Sequence, residues 1–345
     1  MNYSFIVPVY NRPNEVAELL DSLSKQDLKD FEVVIVEDGS KTTCKDVCDS
    51  YAGILDLHYY YKENSGPGQS RNYGAERAQG KWFIVLDSDV VLPPNYLSNV
   101  EAELAAQECD AWGGPDAAHP DFTPVQKAIS YSMTSFFTTG GIRGGKTKLD
   151  KFYPRSFNMG IRREVYLQLG GFSKMRFGED IDFSYRIVEA GCSTRLLPSA
   201  WVWHKRRTDF RKFFRQVYNS GIARINLTKR HPGTLRLVHL LPTVFTLGVI
   251  LLVFVSAIGR ALMYYVDRNT FYWMCFAPWI PILLYCALIF IDSGFRNRST
   301  KVGLLSIPAA FTQLAGYGLG FIEAWWKRCV QGKDEFHAFE KTFYK

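Results

Sequence analysis

The sequence lacks the features of several protein classes. Seven cysteines among 345 residues are too few for a disulfide scaffold. Cys44 and Cys48 have no second pair at metal-ligand spacing, so we expect a reducing compartment and no zinc site there. The N-terminal residues include neither a basic stretch nor a long apolar run, and we expect no signal peptide. The 41 Lys and Arg exceed the 34 Asp and Glu by only 7 charges, too few to indicate a nucleic-acid partner.

Charge is also absent from three long stretches near the C-terminus. They lie between Arg236 and Arg260, between Arg268 and Asp292, and between Lys301 and Glu323. Each is longer than the about 20 residues that a helix needs to cross a bilayer. We predict a transmembrane region over residues 237–326, with apolar segments at 238–258, 271–291 and 302–322. The third segment is the weakest, because it contains Pro308, Gln313 and a Gly-x-Gly-x-Gly series.

The basic residues indicate an orientation but leave one question open. Ten Lys and Arg, Arg236 included, and a single acid, Asp209, lie from Trp201 to Arg236, so the positive-inside rule places this region in the cytoplasm. We therefore expect a multi-pass protein of the inner (plasma) membrane with a cytoplasmic catalytic domain. Three spans would put the C-terminus outside, whereas the basic tail at 327–345 favours the inside. The third segment is our candidate for a re-entrant or interfacial element.

Residues 206–236 join the two regions and are basic and amphipathic. Phenylalanines and aliphatic residues recur near helical spacing, with Arg211, Lys212 and Arg215 between them. Such a helix is typical of a segment that lies in the headgroup region of an anionic leaflet. We predict that membrane lipids are its partner, because aromatic and basic residues beside a span fit lipid better than nucleic acid.

Residues 1–205 alternate between buried strands and helices. Apolar, β-branched runs predict strands at Tyr3–Val9, 32–36, 55–61 and 81–86, and helices are predicted after Pro13, after the loop at 64–68 and from Pro93. This order is typical of an α/β domain with a parallel sheet and right-handed crossovers. Ligands bind such sheets at the carboxyl ends of the strands.

Acidic residues follow two of the predicted strands. Asp87 and Asp89 form a D-x-D motif directly after the strand at 81–86, and carboxylates in this arrangement suit Mg²⁺ or Mn²⁺ on a diphosphate. Asp38 follows the strand at 32–36. We interpret Asp38 as a hydrogen-bonding partner of a base or ribose, with capping of the next helix as the alternative.

Three further positions have a chemical and a structural interpretation. Arg71 opens a helix and is either a phosphate ligand or part of a surface salt bridge. Glu179 and Asp180 begin another helix, where acids complement the helix dipole or one of them acts as a general base. His204 ends an apolar run, where it is either structural, or completes a metal shell or holds the phosphate.

Five motifs occur in a fixed order along this region. They are Ile6-Val7-Pro8-Val9-Tyr10-Asn11, Val36-Glu37-Asp38-Gly39-Ser40, Ser70-Arg71-Asn72, Asp87-Ser88-Asp89, and Gly170-Gly171-Phe172 with Gly178-Glu179-Asp180. In order and spacing they resemble family 2 glycosyltransferases of the GT-A fold, the Rossmann-like fold of nucleotide-diphospho-sugar transferases, over about residues 1–205. The apolar C-terminal region resembles membrane-bound bacterial members that build surface polysaccharides or glycolipids.

The resemblance implies an inverting, Mn²⁺- or Mg²⁺-dependent transfer from a nucleotide-diphosphate sugar, linked to UDP or GDP, to a lipid-linked or glycan acceptor. It also implies roles for the matching residues. Pro8, Tyr10, Asn11 and Asp38 would line the nucleotide pocket with Arg71 nearby, Asp87 would face the ribose or diphosphate, Asp89 would bind the metal, and Asp180 would be the base.

The acceptor side has fewer sequence signals. We place Glu179 there, together with Arg143 in the Gly-rich loop 139–146 and Asn158 in the segment that follows, with a plain surface loop as the alternative. Gln216 is not followed by the Arg-Trp pair of processive polysaccharide synthases, which disfavours chain extrusion. Two other functions remain open: a polyprenyl-phosphate sugar synthase, and a non-catalytic membrane scaffold that binds nucleotides.

Overall fold

A computed structural model describes residues 1–117, 119, 121–139, 152–205, 207–262 and 267–339. The chain forms two compact units. The head consists of residues 1–120 and 147–205, and the membrane unit consists of residues 121–146 and 206–345. The predicted boundary at residue 205 is therefore incomplete, because a segment from within residues 1–205 belongs to the membrane unit.

A mixed β-sheet forms the centre of the head. Its strands are β1 Tyr3–Val9, β2 Phe31–Asp38, β3 Leu57–Lys62, β4 Trp82–Leu86, β6 Ala111–Gly113, β8 Asn158–Arg162 and β9 Thr194–Leu196. Among the described residues, their order across the sheet is β3-β2-β1-β4-β8-β6-β9. The first four strands are parallel, as predicted. The sheet as a whole is mixed, because β8, which is not predicted from the sequence, runs antiparallel to both β4 and β6.

A second, smaller sheet lies beyond the end of β4. It joins β5 Val90–Val91, β10 Val202–His204 and β7 Asp116–Ala117, with β10 in the middle. Strand β10 pairs antiparallel with β5 and parallel with β7. This sheet connects the residues that follow β4 to a segment more than a hundred positions later in the chain.

Helices connect and cover the strands of the head. Pro13 and Pro67 occupy first-turn positions of two of them, where a missing N–H costs nothing. The short helices α2 and α7 are not predicted from the sequence. In chain order the helices are α1 Pro13–Ser24, α2 Lys45–Tyr51, α3 Pro67–Ala75, α4 Tyr96–Ala106, α7 Arg163–Gln168 and α8 Glu179–Glu189.

Two apolar clusters cover the two faces of the large sheet. Alternate residues of β1 point to opposite clusters, which explains the continuous apolar run in its sequence. Apolar side chains thus pack on both faces, and they fix the ends of β1, β2 and β4, from which the candidate site is built. One cluster contains Phe5, Val7 and Ile35 with Val16, Leu19 and Leu23 of α1, and the other contains Ile6, Val34 and Phe83 with Phe183 of α8.

The membrane unit is helical in its described part. Its α-helices are α5 Pro124–Thr134, α6 Phe136–Thr139, α9 Phe210–Arg230, α10 Leu241–Ala261, α11 Arg268–Cys275, α12 Ile280–Asn297 and α13 Thr300–Trp325. Short 3₁₀ turns cover Leu237–His239 and Ala277–Trp279, and a π-helical turn covers Trp326–Val330. Among the described residues, three stretches are long and apolar enough to span a membrane: Leu237–Ala261, Arg268–Asn297 and Thr300–Val330. All three overlap the predicted segments.

Helix α9 packs on α13 through glycines. A Cβ on Gly221 would overlap the carbonyl oxygen of Tyr317, and a Cβ on Gly320 would overlap that of Tyr218. Only glycine therefore permits the two backbones to approach this closely, as small residues do in membrane helix pairs.

Helix α9 is also covered by α5. Phe213 and Val217 of α9 are buried against Ile129 and Met133 of α5. Protein therefore covers part of the apolar face of α9, and the predicted contact of residues 206–236 with membrane lipids stays a prediction. The basic residues of the first turn of α9 remain exposed, as Arg211 shows.

Candidate active site

Two acids and a histidine meet in the head. Asp87 and Asp89 follow β4, and His204 ends β10, which pairs with β5 just beyond the acids. One ligand atom from each of the three residues lies within 4.8 Å of the others. His204 Nε2 is 3.2 Å from Asp89 Oδ1 and 3.9 Å from Asp87 Oδ2. The small sheet thus brings His204 to the D-x-D motif.

This cluster has the ligand chemistry of a divalent-cation site. The His204 ring stacks on Phe157 at 5.1 Å between ring centres, which holds Nε2 toward the carboxylates. Among the described residues, His204 Nδ1 is buried and has no hydrogen-bond partner. Two carboxylates with one imidazole fit Mn²⁺ better than Mg²⁺, whose ligands are nearly always oxygens.

Arg12 joins the cluster without having been predicted as a site residue. It lies at the start of α1 and forms an ion pair with Asp89 Oδ2, while the other oxygen of Asp89 faces His204. Arg12 therefore balances charge in the cluster and orients Asp89. Its position directly after the Tyr10-Asn11 motif is the sequence signal that could have identified it.

Arg71 links this cluster to the start of α8. Its side chain is 3% exposed, and its guanidinium donates to Asp87 Oδ1 at 2.7 Å and to Glu179 Oε1 at 3.0 Å. The guanidinium also lies 5.1 Å from the centre of the Phe172 ring. The prediction of a surface salt bridge is wrong, since the pair is buried. The predicted phosphate contact stays a prediction: the two terminal nitrogens of the guanidinium bind carboxylates, and its Nε has no hydrogen-bond partner among the described residues.

Asn72 connects two of the sequence motifs through hydrogen bonds to the backbone. Its Oδ1 accepts from Phe172 N at 2.8 Å, and its Nδ2 donates to Phe172 O at 2.8 Å. Gly171 has a φ of +65°, and a Cβ there would overlap Asn72 Oδ1. The glycine is required both for the left-handed conformation and for this approach. The Ser-Arg-Asn and Gly-Gly-Phe motifs are thus one packed structure that supports Arg71.

Glu179 and Asp180 begin α8 and have different environments. Burial, together with the Asp180 charge, raises the pKa of Glu179 to about 7, although Arg71 opposes this shift. Burial also acts to raise the pKa of Asp180, but Arg155 outweighs it and holds that pKa below its ordinary value. Arg155 Nε donates to Asp180 Oδ2 at 2.6 Å, and Ile181 N donates to Oδ1 at 2.9 Å. Neutral pH therefore leaves Asp180 ionised and Glu179 partly protonated.

Arg155 is a second site residue that the sequence does not reveal. Its side chain is 37% exposed, and its charge engages the predicted base. The residue stands in the segment before β8, close to Asn158, which the sequence favours instead. A single arginine in an irregular segment carries no pattern that would identify its partner.

The residues predicted to line a nucleotide pocket lie at the ends of β1 and β2. Asn11 has a φ of +54°, and its Oδ1 accepts from the backbone N–H groups of Lys41 and Thr42 at 2.8 and 3.1 Å. Pro8 and Tyr10 are half-buried beside it. Asn11 therefore joins the loop after β1 to the loop after β2.

Asp38 is buried and holds the loop that leads into α3. Its carboxylate accepts from Lys62 Nζ at 2.6 Å and from the N–H groups of Ser65 and Gly66 at 2.8 and 2.9 Å. Asp38 thus shapes the loop before Arg71, and its contact with a base or ribose stays a prediction.

The alternative role of Asp38, capping of the next helix, is wrong. The neighbouring carboxylate of Glu37 instead accepts from Cys44 N at 2.8 Å, just before α2 begins. The two acids that end β2 therefore have separate structural partners.

Asn158 was expected on the acceptor side. It is fully buried, accepts from the Tyr96 hydroxyl at 2.5 Å and donates to the Ala200 carbonyl at 2.8 Å. Its placement on the acceptor side is therefore corrected to a structural role.

The two other acceptor-side predictions have different outcomes. Glu179 is 7% exposed and bound by Arg71, so it too is not free to contact an acceptor. Arg143 lies outside the described residues.

Comparison with known proteins identifies the domain. Residues 4–170 match the family model described as glycosyl transferase family 2. Residues 4–170 form a family 2 glycosyltransferase domain. An uncharacterized glycosyltransferase of Rickettsia typhi is 38% identical over 28% of this chain and 30% of its own length. The poly(ribitol-phosphate) beta-N-acetylglucosaminyltransferase TarS of Staphylococcus aureus is 34% identical over 32% of this chain and 20% of its own length.

A solved structure supports the fold of the glycosyltransferase domain. The mannosyltransferase of Pyrobaculum calidifontis, solved with GDP-Man and Mn²⁺, aligns over 95% of this chain and 88% of its own, with a TM-score of 0.62 at 18% identity. The GT-A fold expected from the resemblance is confirmed, as is the family. The chain spans less than a third of the length of the two curated relatives named above.

Proposed function

We propose that the protein is an inverting glycosyltransferase that moves a sugar from a nucleotide-diphosphate donor to an acceptor at a membrane. The cluster of Asp87, Asp89 and His204 carries this proposal, because its ligand atoms suit a divalent cation and lie at the carboxyl end of a strand. A bound Mn²⁺ would neutralise charge on the leaving diphosphate. UDP- and GDP-linked sugars are the donor candidates, because the mannosyltransferase is solved with GDP-Man and TarS is an N-acetylglucosaminyltransferase.

The residues of the chain have separate roles in this proposal. Asp89 and His204 hold the cation, with Asp87 beside them, and Arg12 orients Asp89. Arg71 fixes the distance between this cluster and the start of α8. Asp180 removes the proton from the acceptor hydroxyl, and its ionised state at neutral pH suits a base.

One observation favours a second acceptor class. A carboxylate whose pKa is held low by Arg155 is a weak base, and an acceptor phosphate is already ionised. Transfer to a polyprenyl phosphate would depend less on a base, and Arg155 would then attract the negative charge of the phosphate. We retain the hydroxyl as the main proposal, because Asp180 and Arg155 are both partly accessible to an entering acceptor.

Donor binding by the full-length protein in detergent tests the first step. The melting temperature is measured with UDP, GDP, dTDP and CMP, each with and without Mn²⁺. We expect one nucleoside diphosphate to raise it in a metal-dependent manner, because a ligand that binds the folded state stabilises it. Asp89→Ala should abolish the shift, and Asp49→Ala, which removes an exposed carboxylate on α2, should retain it. A shift that survives Asp89→Ala would remove the cation cluster from donor binding.

Transfer assays test Asp180. Asp180→Asn should retain the metal-dependent melting shift and lose turnover with a hydroxyl acceptor. Glu164→Gln, an exposed acid in the first turn of α7, is the matched control and should turn over normally. Turnover of Asp180→Asn with a polyprenyl phosphate, but not with a glycan, would establish the second acceptor class instead. Near-normal turnover with both would exclude Asp180 as the base.

A further inference from the structure

The three apolar stretches of the membrane unit differ in what surrounds them. The most apolar windows of Leu237–Ala261 and Arg268–Asn297 are only 6% and 12% buried, whereas that of Thr300–Val330 is 44% buried. The third stretch is also the least apolar of the three. The first two stretches therefore present apolar side chains outward along their length, as a lipid-surrounded helix does, and the third does so to a smaller extent.

The first two stretches form an antiparallel hairpin. Near the end of α10, Ser256 Oγ accepts from Trp279 Nε1 at 2.8 Å. Near the start of α10, the Phe245 ring lies 5.9 Å from the ring of Tyr285 on α12. The contact that comes first along α10 comes second along the other stretch, so the two stretches run antiparallel. Helix α10 has 21 residues and is about 30 Å long, which equals the thickness of the bilayer core.

Helix α13 meets this hairpin at one end. On α12 its contacts run from Ser293, whose Oγ lies 2.6 Å from Ser306 Oγ, back to Tyr285, whose ring centre lies 6.4 Å from that of Phe311. On α10 it contacts the first two turns, where the Leu314 carbonyl accepts from Thr246 Oγ1 at 3.3 Å. These contacts lie at the end of the hairpin where α10 begins.

The later residues of α13 advance only a short way along α10. The Phe311 ring lies edge-on to Phe245 at 5.3 Å between ring centres, and Phe321 shares an apolar cluster with Leu240. The ten residues of α13 from Phe311 to Phe321 are about 15 Å long. They contact a stretch of only about 8 Å at the start of α10, from Leu240 to Phe245. A helix that crossed the bilayer beside α10 would instead meet it progressively along its length. Helix α13 therefore crosses the start of α10 at a steep angle.

Part of the remaining surface of α13 packs against elements too polar for the bilayer core. The Tyr218 hydroxyl of α9 donates to Glu323 of α13 at 2.7 Å, and Lys327 pairs with the same carboxylate at 2.6 Å. Residues after α13 then return along α9, where Asn219 accepts from Ala338 N at 2.8 Å. Because α9 carries exposed basic residues in its first turn, it stays at the membrane surface, and α13 stays with it.

The distribution of basic residues agrees with this arrangement. A two-helix hairpin puts the turn between α12 and α13 and the residues after α13 on the side of α9, where ten Lys and Arg lie from Trp201 to Arg236. The positive-inside rule favours this grouping. The basic residues concerned are Arg296, Arg298 and Lys301 around the turn, and Lys327, Arg328 and Lys333 after α13.

We propose that the chain crosses the membrane twice, through α10 and through α11 with α12, and that α13 lies along the membrane surface against α9. The C-terminal segment then lies on the same side as α9 and the head, and the turn after α10 lies on the opposite side. The lipid bilayer is the partner of the hairpin, and protein is the partner of α13.

Cysteine labelling in bacterial cells that express the full chain tests the arrangement. Native Cys329 is exposed just after α13, and Cys329→Ser supplies the background from the other cysteines. On that background, Leu262→Cys reports the turn after α10, and Gly53→Cys reports the head, where a Cβ has open space. A membrane-impermeant maleimide is applied to spheroplasts before and after permeabilisation.

Two crossings predict that Leu262→Cys is labelled before permeabilisation, whereas Cys329 and Gly53→Cys are labelled only afterwards. Labelling of Cys329 before permeabilisation, with Gly53→Cys still protected, would establish three crossings and overturn the proposal. Protection of Leu262→Cys together with the head marker would show that α10 does not cross, which would also overturn it. Labelling after permeabilisation confirms that each cysteine is reactive.

Discussion

Arg71 is the residue at which the charges of the glycosyltransferase domain converge. Its guanidinium is almost fully buried and joins Asp87 of the cation cluster to Glu179 at the start of α8. Removing one partner of a buried ion pair leaves the other charge without compensation, which costs more than the pair contributes. The spacing between Asp87 and the start of α8 therefore depends on this one side chain.

Glu179 gives the domain a measurable pH dependence. Because its folded-state pKa is about 7 against an ordinary 4.5, the folded state binds this proton more tightly than the unfolded state, and stability falls as pH rises through this window. We expect the melting temperature of Glu179→Gln to fall less between pH 5 and pH 8 than that of the wild type. Differential scanning fluorimetry at several pH values measures the difference, and parallel curves would contradict the shifted pKa.

Asn158 is expected to matter for stability and not for the acceptor. Asn158→Ala leaves the Tyr96 hydroxyl and the Ala200 carbonyl buried without a partner, at a cost of about 1–3 kcal/mol for each group. Its melting temperature should drop, while the KM for the acceptor stays unchanged. Asn99→Ala is the control, since Asn99 bonds the Ser199 carbonyl at an accessible position where water can replace it. A raised KM without loss of stability would restore Asn158 to the acceptor side.

At the scale of elements, the sequence predicts local structure better than long-range pairing. The bounds of β1 and the start of α1 follow from a continuous apolar run and from Pro13, and both are confirmed. Strands β6 and β9 have three residues each, and β8 pairs antiparallel between β4 and β6. Such short strands have no periodicity of their own, because their stability comes from neighbours distant in the sequence.

Long-range contacts also limit how much of the candidate active site the sequence predicts. The sequence predicts one metal site for Asp89 and His204, and the structure brings the two side chains together. Arg12 and Arg155 escape prediction because an arginine's partner depends on tertiary contacts. The acceptor role of Asn158 is wrong because the Gly-rich sequence before it resembles a loop, whereas Asn158 itself begins a buried strand.

The contact between α9 and α13 supplies a test at this scale. Gly320→Ala would place a Cβ against the Tyr218 carbonyl oxygen, so the two helices must separate, and overpacking of this kind costs about 1–3 kcal/mol. We expect a lower melting temperature in detergent. Gly248→Ala is the matched control on α10, where the added Cβ has no neighbour within 4 Å, and it should be neutral or stabilising. Equal effects would show that the glycine packing is unimportant.

At the scale of the whole molecule, the glycosyltransferase domain is not a separable N-terminal piece. Residues 121–146 lie between two parts of the head in the sequence but belong to the membrane unit. Ala128 of α5 is fully buried with Val302 and Ala309 of α13, and Ile129 is buried with Phe213 of α9. The chain therefore passes between the two units three times, and a single linker does not join them.

This connectivity predicts the behaviour of a truncated chain. A protein ending at residue 205 keeps α5 but loses α9 and α13, so the apolar face of α5 is exposed to water. We expect it to be recovered in aggregates, as measured by size-exclusion chromatography of the soluble fraction. Ile129→Ser with Met133→Ser in the truncated chain should increase the monomeric fraction. A monomeric unmodified truncation would show that α5 does not depend on the membrane unit.

The position of α5 also has a consequence for biosynthesis. The ribosome completes α5 by residue 134, but α13, which covers it, begins only at residue 300. At about 5–20 residues per second, this delay lasts roughly 10 to 30 s. During that time α9 is available to cover Ile129, but the part of α5 that packs on α13 is uncovered. The nascent chain therefore exposes apolar surface of the kind that promotes aggregation in this interval, and synthesis of α13 ends the exposure.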